Sequence, residues 1–310
     1  MSGARVVLAG GTGQLGVKIA RELVKRGGVV TALVRRGSAG NGVAELRQTG
    51  AEVTEVDYGR AVELQRACAG ASCVVSALSG LEDVIVGVQG MLLDAAVAAR
   101  CPRFIPSDFA IDYVMLPPGK NRNFDLRRKF KARLDAAPIA ATSVLCGAFA
   151  DMLSGQAPFV LPKIRRVLAW GNLRVKLDFT SMDDAAAFTA AGALDRETPR
   201  TLRIAGDQVT APELAAIASE LSGERYRVLR PGGLRMLEVM ISLARAFDRK
   251  EEEVFPPWQG MQYMRDMYGG LAKLSPLDNG RYPELRWTSV REVMAADPRL
   301  QRAAGFPSAG

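Results

Sequence analysis

Short apolar runs rich in β-branched residues alternate along the chain with longer segments whose apolar residues recur every three or four positions. The first run, residues 5–9 (RVVLA), predicts a strand, and residues 13–26 then have the period of an amphipathic helix. Further strands are predicted at residues 29–34, 52–56, 73–77, 103–106 and 139–145, and helices at 43–48, 61–69, 81–100 and 125–136. Because strand–helix–strand units join parallel strands by right-handed crossovers, the pattern predicts an α/β fold with a doubly wound parallel sheet.

The pattern changes after Phe149. Prolines and glycines become frequent, and short strands predicted at residues 167–170, 175–179 and 202–204 replace the regular alternation. Helices are predicted at residues 182–194, 212–221, 233–247, within 260–268, and at 290–295. We therefore expect an α/β domain over residues 1–155 and a smaller, less regular lobe over residues 156–310, some of whose strands or helices pack back on the first domain.

The composition narrows the possible chemistry. The 310 residues include no histidine, which excludes Ser-His-Asp and Cys-His hydrolysis and any histidine-ligated metal, so we expect no metal site. There are 41 Lys and Arg against 33 Asp and Glu, a net charge of +8. The arginines are scattered and the three tryptophans isolated, without a recognition motif, so we expect no nucleic-acid partner.

The cysteines indicate a reducing compartment. They form no CxxC pair and no regular framework, which is typical of free thiols. These residues are Cys68, Cys73, Cys101 and Cys146. No stretch approaches the roughly 18 uninterrupted apolar residues of a membrane-spanning helix. We expect a cytoplasmic protein that does not bind a membrane.

A glycine-rich loop, GGTGQLG at residues 10–16, joins the first predicted strand to the first predicted helix. Gly10 would permit a tight turn, Gly13 the approach of backbone N–H groups to a diphosphate, and Gly16 the packing of the helix on the sheet. Because a helix N-terminus attracts anions, we expect a dinucleotide diphosphate here. The expected contacts are Gly10, Thr12, Gly13, Gln14, Leu15 and Gly16.

The end of the second predicted strand indicates which dinucleotide binds. Domains that prefer NAD offer an Asp or Glu there to the ribose hydroxyls, whereas this chain has Arg35 and Arg36, followed by Ser38. A guanidinium can hold a 2′-phosphate through two hydrogen bonds, so we expect NADPH and NADP+, with Arg35 as the main phosphate ligand. Asp57 and Tyr58, after the third strand, are expected at the adenine edge.

The remaining cofactor contacts are expected where strands end at the carboxyl edge of the sheet, because ligands of open α/β sheets bind there. They are Ala77, Leu78, Ser79, Pro106, Ser107, Gly147 and Phe149. None of the six tyrosines is followed four residues later by a lysine, so the Tyr-x-x-x-Lys pair of conventional short-chain dehydrogenases is absent.

Three segments carry a resemblance to a known family. They are the GGTGQLG loop, RFIPSDF at residues 103–109, similar to that family's RFFPSEFG, and TSVLCGAF at residues 142–149. With them, residues 5 to about 155 resemble the NmrA-like, isoflavone reductase-like branch of the atypical short-chain dehydrogenases. The resemblance implies a Rossmann-type NADP(H)-binding domain with a smaller C-terminal substrate lobe. It also implies reduction of quinones or of phenolic, benzylic or enone compounds.

In that family's active reductases, a helix lysine near the nicotinamide acts as proton donor or cofactor clamp. Aligning residues 139–144 with the family's IPYTYV, and counting back without a gap, places Arg127 at that position. Arginine can orient a carbonyl but is a poor proton donor near neutral pH. Lys131 is the alternative, since residues four apart share a helix face. Tyr113 is a third candidate, as a substrate contact.

Two functions therefore stay open at this point. The first is an NADPH-dependent reductase of a small conjugated carbonyl, quinone or aromatic, isoflavonoid-like substrate. The second, which the resemblance also allows, is a non-catalytic NADP(H) sensor that acts through a protein partner. A homodimer is possible in either case. The two functions differ in whether an open cavity lies beside the reactive carbon of the nicotinamide.

Overall fold

Six parallel strands form the central sheet of this computed structural model, which describes residues 3–248 and 252–301. The strand order is β3-β2-β1-β4-β5-β6, so the order reverses between β1 and β4. The strands are β1 (Arg5–Ala9), β2 (Val29–Arg35), β3 (Glu52–Val56), β4 (Cys73–Ser76), β5 (Arg103–Ile105) and β6 (Ala140–Ala141). A ligand crevice is expected at the carboxyl edge of such a reversal.

Helices cover both faces of the sheet and confirm the predicted doubly wound α/β fold. They are α1 (Gln14–Lys25), α2 (Asn41–Gln48), α3 (Ala61–Cys68), α4 (Gln89–Ala98), α5 (Arg122–Asp135) and α6 (Met182–Leu194). On one face, Ile19 of α1 and Phe188 of α6 pack in the same core as Val6 and Val75 of the sheet. On the other face, Leu64, Leu92 and Phe130 of α3, α4 and α5 form a second core.

The strand predicted at residues 139–145 is split in the structure. Thr142 N donates to the Phe104 carbonyl, but Ser143 N donates to the Arg200 carbonyl, so the chain leaves β5 at this point. β5 is short and is followed by Pro106, which has no N–H to donate. The helix predicted at residues 81–100 is likewise divided, because a π-helical turn (Asp83–Val88) precedes α4.

The second half of the chain forms small sheets and further helices. Its strands are β7 (Ser143–Leu145), β8 (Ala148–Phe149), β9 (Val160–Leu161), β10 (Arg166–Leu168), β11 (Leu177–Thr180), β12 (Thr201–Arg203), β13 (Asp207–Val209) and β14 (Arg227–Leu229). The helices are α7 (Ala211–Ser222), α8 (Leu234–Phe247), α9 (Pro257–Gly269), α10 (Val290–Ala295) and α11 (Pro298–Gln301). A third core, which includes Trp170, Leu214 and Tyr268, lies among these elements.

α6 belongs by its packing to the first core, although it lies within the residues predicted as the second lobe. The strand pairs β7–β12 and β8–β11 also connect residues on either side of position 155. The two halves are therefore interleaved around the end of the sheet. Within the described residues, no helix is both long and apolar enough to cross a bilayer.

Candidate active site

The glycine loop between β1 and α1 makes a turn that two of its glycines require. Gly10 has φ +77°, and a Cβ there would lie 2.5 Å from the carbonyl carbon and oxygen of Ala77. A Cβ on Gly16 would overlap the carbonyl oxygen of Gly10. Both positions therefore need glycine to fold, independently of any ligand.

Gly13 differs from these two glycines. A Cβ there would meet only the Gly10 carbonyl oxygen, at an ordinary 3.5 Å, and its φ of −79° suits any residue. Gly13 is the N-cap of α1 and provides no side-chain cap, and among the described residues the N–H groups of Gln14, Leu15 and Gly16 have no backbone or side-chain acceptor. The loop therefore presents free N–H groups and a helix N-terminus to open space, as a diphosphate site does.

A cavity of about 290 Å³ lies beyond this loop, at the ends of β2 and β3. Its lining residues are Arg35, Arg36, Val56, Asp57 and Tyr58. The cavity thus joins four of the residues that the sequence predicts for the adenosine end of the cofactor. Burial raises the pKa of the Tyr58 phenol, whose hydroxyl donates to the Leu33 carbonyl at 3.3 Å.

The two arginines of this cavity have different partners. Arg36 Nη2 binds Glu63 Oε1 at 2.7 Å, whereas in the described part of the chain no carboxylate forms an ion pair with Arg35. The Arg35 guanidinium is exposed and available to a phosphate. Ser38, in the turn that follows, donates its backbone N–H to the Arg35 carbonyl at 3.0 Å.

Hydrogen bonds join the loops after β4 and β5 at the carboxyl edge of the sheet. Ser107 Oγ donates to the Leu78 carbonyl at 2.7 Å, and Ser107 N donates to Gln89 Oε1 at 2.9 Å. Ala77 N donates to the Ala9 carbonyl at 2.8 Å. These bonds bring the predicted residues at 77–79 and 106–107 to the same edge as the glycine loop. The sequence pattern gave no sign of Gln89, which lies buried on α4.

Gly147 and Phe149 lie further along this edge. Gly147 has φ +69°, and a Cβ there would overlap the Asp178 carbonyl, so the backbone of the neighbouring strand β11 explains this glycine. Phe149 is partly exposed and packs against the first core. Their predicted contacts with a cofactor stay predictions.

Arg127 points from α5 into the protein. Its Nη1 donates to the Asn123 carbonyl at 3.2 Å, while its Nε is buried and has no hydrogen-bond partner. The guanidinium also acts electrostatically on Asp108 and Cys146, at the ends of β5 and β7. Arg127 thus lies at the carboxyl edge of the sheet.

Lys131 is held differently. Its side chain is 27% exposed, and Nζ binds the carboxylate of Asp135 on the same helix. Asp135 also pairs with Arg200, and these cations hold the pKa of its carboxyl below its usual range despite partial desolvation. The geometry therefore favours Arg127 over Lys131 as the group that faces a ligand, and the role of either residue stays a prediction.

Tyr113 lies inside the core, where it is 1% exposed. Its hydroxyl donates to Asp108 Oδ2 at 3.1 Å, and Ser143 Oγ donates to the same oxygen at 2.6 Å. Burial raises the pKa of the Asp108 carboxyl, and these two donors oppose the rise. Tyr113 therefore contacts Asp108 here, and the predicted contact with substrate has no support in this geometry.

Two residues of this region were not anticipated from the sequence. Asn123 is buried, and its Nδ2 donates to Tyr263 Oη at 3.1 Å and to the Val254 carbonyl at 3.0 Å. Tyr263 reaches this position from α9. Helical periodicity marks Tyr263 only as part of an apolar helix, so no local signal distinguishes it.

The site fits a dinucleotide that carries a 2′-phosphate. The free N–H groups at the start of α1, the open space in front of Gly13 and the unpaired Arg35 provide the required donors in the required order along the sheet. Within the described residues, no group of three acidic, cysteine or histidine side chains could hold a metal ion.

Comparisons with known proteins identify the family. The model of the NmrA-like family matches residues 2–231, so the chain belongs to the NmrA-like family, as the motifs indicated. Pinoresinol reductase 1 of Arabidopsis thaliana is 30% identical over 242 residues, which cover 71% of this chain and 75% of that protein.

Solved structures share the fold over nearly the whole chain. That of AtPrR2 with NADP+ and (+)-pinoresinol superposes with a TM-score of 0.79 at 24% identity, covering 95% of this chain and 99% of that one. An isoflavone reductase structure superposes with a TM-score of 0.79 at 20% identity, covering 94% of this chain and 98% of that one.

Proposed function

We propose that this chain transfers a hydride from NADPH to a small conjugated carbonyl, quinone or aromatic, isoflavonoid-like substrate. The chain is an NADP(H)-dependent oxidoreductase of its family: its 30% identical relative is a reductase, and AtPrR2, which shares its fold, binds NADP+. The class of substrate is the proposal. Its main support is the inward-facing Arg127, whose buried Nε lacks a partner at the carboxyl edge of the sheet.

Different residues of the chain bind the different parts of the cofactor. The N–H groups of Gln14, Leu15 and Gly16 hold the diphosphate, and Gly13 leaves room for it. Arg35 binds the 2′-phosphate, Arg36 and Ser38 support it, and Asp57 and Tyr58 bound the adenine cavity. The loops at residues 77–79 and 106–107, joined by the Ser107–Leu78 bond, and then Gly147 and Phe149, position the nicotinamide.

The cofactor supplies the hydride and the two electrons of the reduction. The protein's part is to hold the acceptor carbon in place, exclude water and stabilise the negative charge that develops on the acceptor oxygen. We assign the last task to Arg127, because a guanidinium can donate charge-assisted hydrogen bonds to a developing oxyanion. Because Asp135 holds Lys131, we assign Lys131 no contact with the acceptor.

The test combines binding with turnover. Purified protein is titrated with NADPH in a calorimeter, and NADPH oxidation is then followed with a panel of quinones, enones and phenylpropanoid ketones. The proposal expects binding and oxidation with at least one conjugated acceptor. Tight binding without turnover on any acceptor would contradict the reductase and favour the NADP(H) sensor, which the replacement of a proton-donating lysine by Arg127 also allows.

Location and assembly are also proposals. All four cysteines are free and buried, which supports the predicted reducing, cytoplasmic compartment. A small-molecule substrate is the partner that the site supports. A homodimer stays a prediction, which light scattering of the purified chain would test.

A further inference from the structure

We propose that Tyr263 is the proton donor of this reductase, and that the Tyr263 hydroxyl and the Arg127 Nε–H group together bind one oxygen atom of the substrate. The inference rests on the proposed reductase function and gives it a specific acid. It also accounts for how the reaction proceeds without a lysine at position 127 and without the Tyr-x-x-x-Lys pair.

One buried residue, Asn123, fixes both groups. Its backbone carbonyl accepts a hydrogen bond from Arg127 Nη1 at 3.2 Å, and its side-chain Nδ2 donates to Tyr263 Oη at 3.1 Å. Asn123 is itself only 2% exposed and is anchored by a second bond, from Nδ2 to the Val254 carbonyl at 3.0 Å. Arg127 and Tyr263 are therefore both bound to Asn123, although they come from helices in different halves of the chain, and the Arg127 charge acts on the Tyr263 phenol.

Tyr263 and Arg127 each have one hydrogen-bond donor that no described residue accepts. Tyr263 Oη accepts from Asn123, and none of the described residues accepts its proton. Arg127 Nε is buried and has no partner. Buried donors are nearly always paired in folded proteins, so the unpaired Arg127 Nε indicates a site for an acceptor atom, and the Tyr263 hydroxyl, bound to the same Asn123, is a second donor for it. A carbonyl or phenolate oxygen of the substrate has this chemistry.

Ring packing holds Tyr263 in place. Phe124 of α5 contacts the Tyr263 ring edge to face, with ring centroids 5.0 Å apart, and stacks on Tyr113 at 5.8 Å. Phe255 lies on another side of Tyr263 at 6.4 Å. Such packing restricts the phenol to one orientation, which is what a proton donor needs before the reaction starts.

The proposed step balances as follows for a ketone acceptor. Two electrons and one hydrogen reach the carbonyl carbon as a hydride, and the π bond of the C=O group breaks. Its electron pair moves to the oxygen, which takes the proton from Tyr263 Oη and becomes a hydroxyl. The phenolate that is left takes a proton from water. NADPH is oxidised and the ketone is reduced to an alcohol.

The surroundings of Tyr263 suit this role. Burial raises the pKa of the phenol, and the Arg127 guanidinium opposes that rise. The phenol is therefore protonated before the step, as an acid must be, and the neighbouring positive charge stabilises the phenolate that forms.

The first test removes the hydroxyl group from each of two tyrosines on α9 and compares the two variants. Tyr263→Phe should lower kcat by about 100-fold or more, the usual contribution of a general acid, while the Kd of NADPH stays nearly unchanged. Tyr268→Phe is the control, because it removes a hydroxyl from the same helix that only binds the Leu168 carbonyl at 3.0 Å. Adding Arg127→Lys to Tyr263→Phe should restore turnover by about tenfold, since an ammonium can donate a proton. A Tyr263→Phe variant whose kcat stays within threefold of the parent value would overturn the proposal.

The second test needs no turnover. 4-Nitrophenol carries one acidic oxygen, and its anion is seen by visible absorbance. The NADP+-loaded protein should bind the anion at least about tenfold more tightly than the neutral phenol, and Tyr263→Phe and Arg127→Ala should each lose this preference. An equal preference for the anion in the parent and in Tyr263→Phe would contradict the shared oxygen site.

The outcomes separate this inference from the proposed function. A parent protein that binds no NADPH, or that reduces no acceptor, contradicts the proposed function itself. An active parent whose kcat and anion preference do not change in Tyr263→Phe contradicts only the assignment of the proton donor.

Discussion

Ser107 donates its hydroxyl proton to the carbonyl oxygen of Leu78 at 2.7 Å, and this bond joins the loops that follow β4 and β5, where we propose that the nicotinamide binds. The two residues are 29 positions apart and follow neighbouring parallel strands. The hydroxyl that the sequence predicts as a cofactor contact thus has a protein partner, and we expect Ser107 to affect cofactor binding through the position of the loop.

Replacing Ser107 tests this relationship. Ser107→Ala leaves the partly buried Leu78 carbonyl without its partner and should lower the free energy of unfolding by about 1 kcal/mol, together with a several-fold weaker affinity for NADPH. Chemical denaturation and calorimetry measure the two effects. Ser154→Ala, at an exposed serine outside the site, should change neither. A Ser107→Ala protein with unchanged stability would show that the bond does not hold the loop.

The glycine loop makes a prediction that separates folding from binding. Gly13→Ala has room within the chain and should change the free energy of unfolding by less than about 1 kcal/mol, but its methyl group occupies the diphosphate space, so NADPH affinity should fall by at least about tenfold. Gly16→Ala should instead destabilise the fold, because its methyl group overlaps the Gly10 carbonyl. Unaltered NADPH affinity in Gly13→Ala would place the diphosphate elsewhere.

Arg35 and Arg36 offer a matched pair of variants. Arg35→Ala removes the unpaired guanidinium and should weaken NADPH binding by about 10- to 100-fold, as expected for charge-assisted hydrogen bonds, while NADH binding stays the same. Arg36→Ala removes a supporting guanidinium that is already paired with Glu63 and should lower the NADPH-to-NADH affinity ratio much less than Arg35→Ala does. If the ratio responds to Arg36 and is indifferent to Arg35, the assignment of the phosphate ligand is wrong.

Asp108 makes the stability depend on pH. Its pKa is raised by burial above the ordinary value of 3.8, so the folded protein binds this proton more tightly than the unfolded chain does. The contribution of Asp108 to stability is therefore fully present below that ordinary value and is lost as pH rises through the raised pKa. Asp108→Asn, which still accepts from Tyr113 and Ser143, should flatten this part of the profile. Thermal unfolding of the parent and of Asp108→Asn, measured from acid to neutral pH, checks this prediction. An equal dependence of stability on pH in the two proteins would exclude a contribution from Asp108.

The α/β half could be predicted from the sequence because its signals are local. Apolar periodicity sets the bounds of β1 and β3, and the glycines of the loop follow from its turn and its close contacts. The packing of α6 on the first core could not be predicted in the same way, because it depends on contacts with α1 from far along the chain.

The residues of the candidate site could likewise be predicted only as far as local sequence signals allow. Helix period places Arg127 and Lys131 on one face of α5, and only the side-chain contacts in the structure distinguish them: Asp135 of the same helix binds Lys131, while Arg127 Nε lies buried and unpaired. Tyr263 could not be found from the sequence, because its bond with Asn123 joins residues 140 positions apart.

Calorimetric titration of the purified chain with NADPH and NADH shows whether a dinucleotide binds across the start of α1 with its 2′-phosphate on Arg35, the arrangement on which every proposed residue role depends. We expect one NADPH bound per chain, at least about tenfold more tightly than NADH. No heat with either nucleotide, or equal affinity for both, would contradict it.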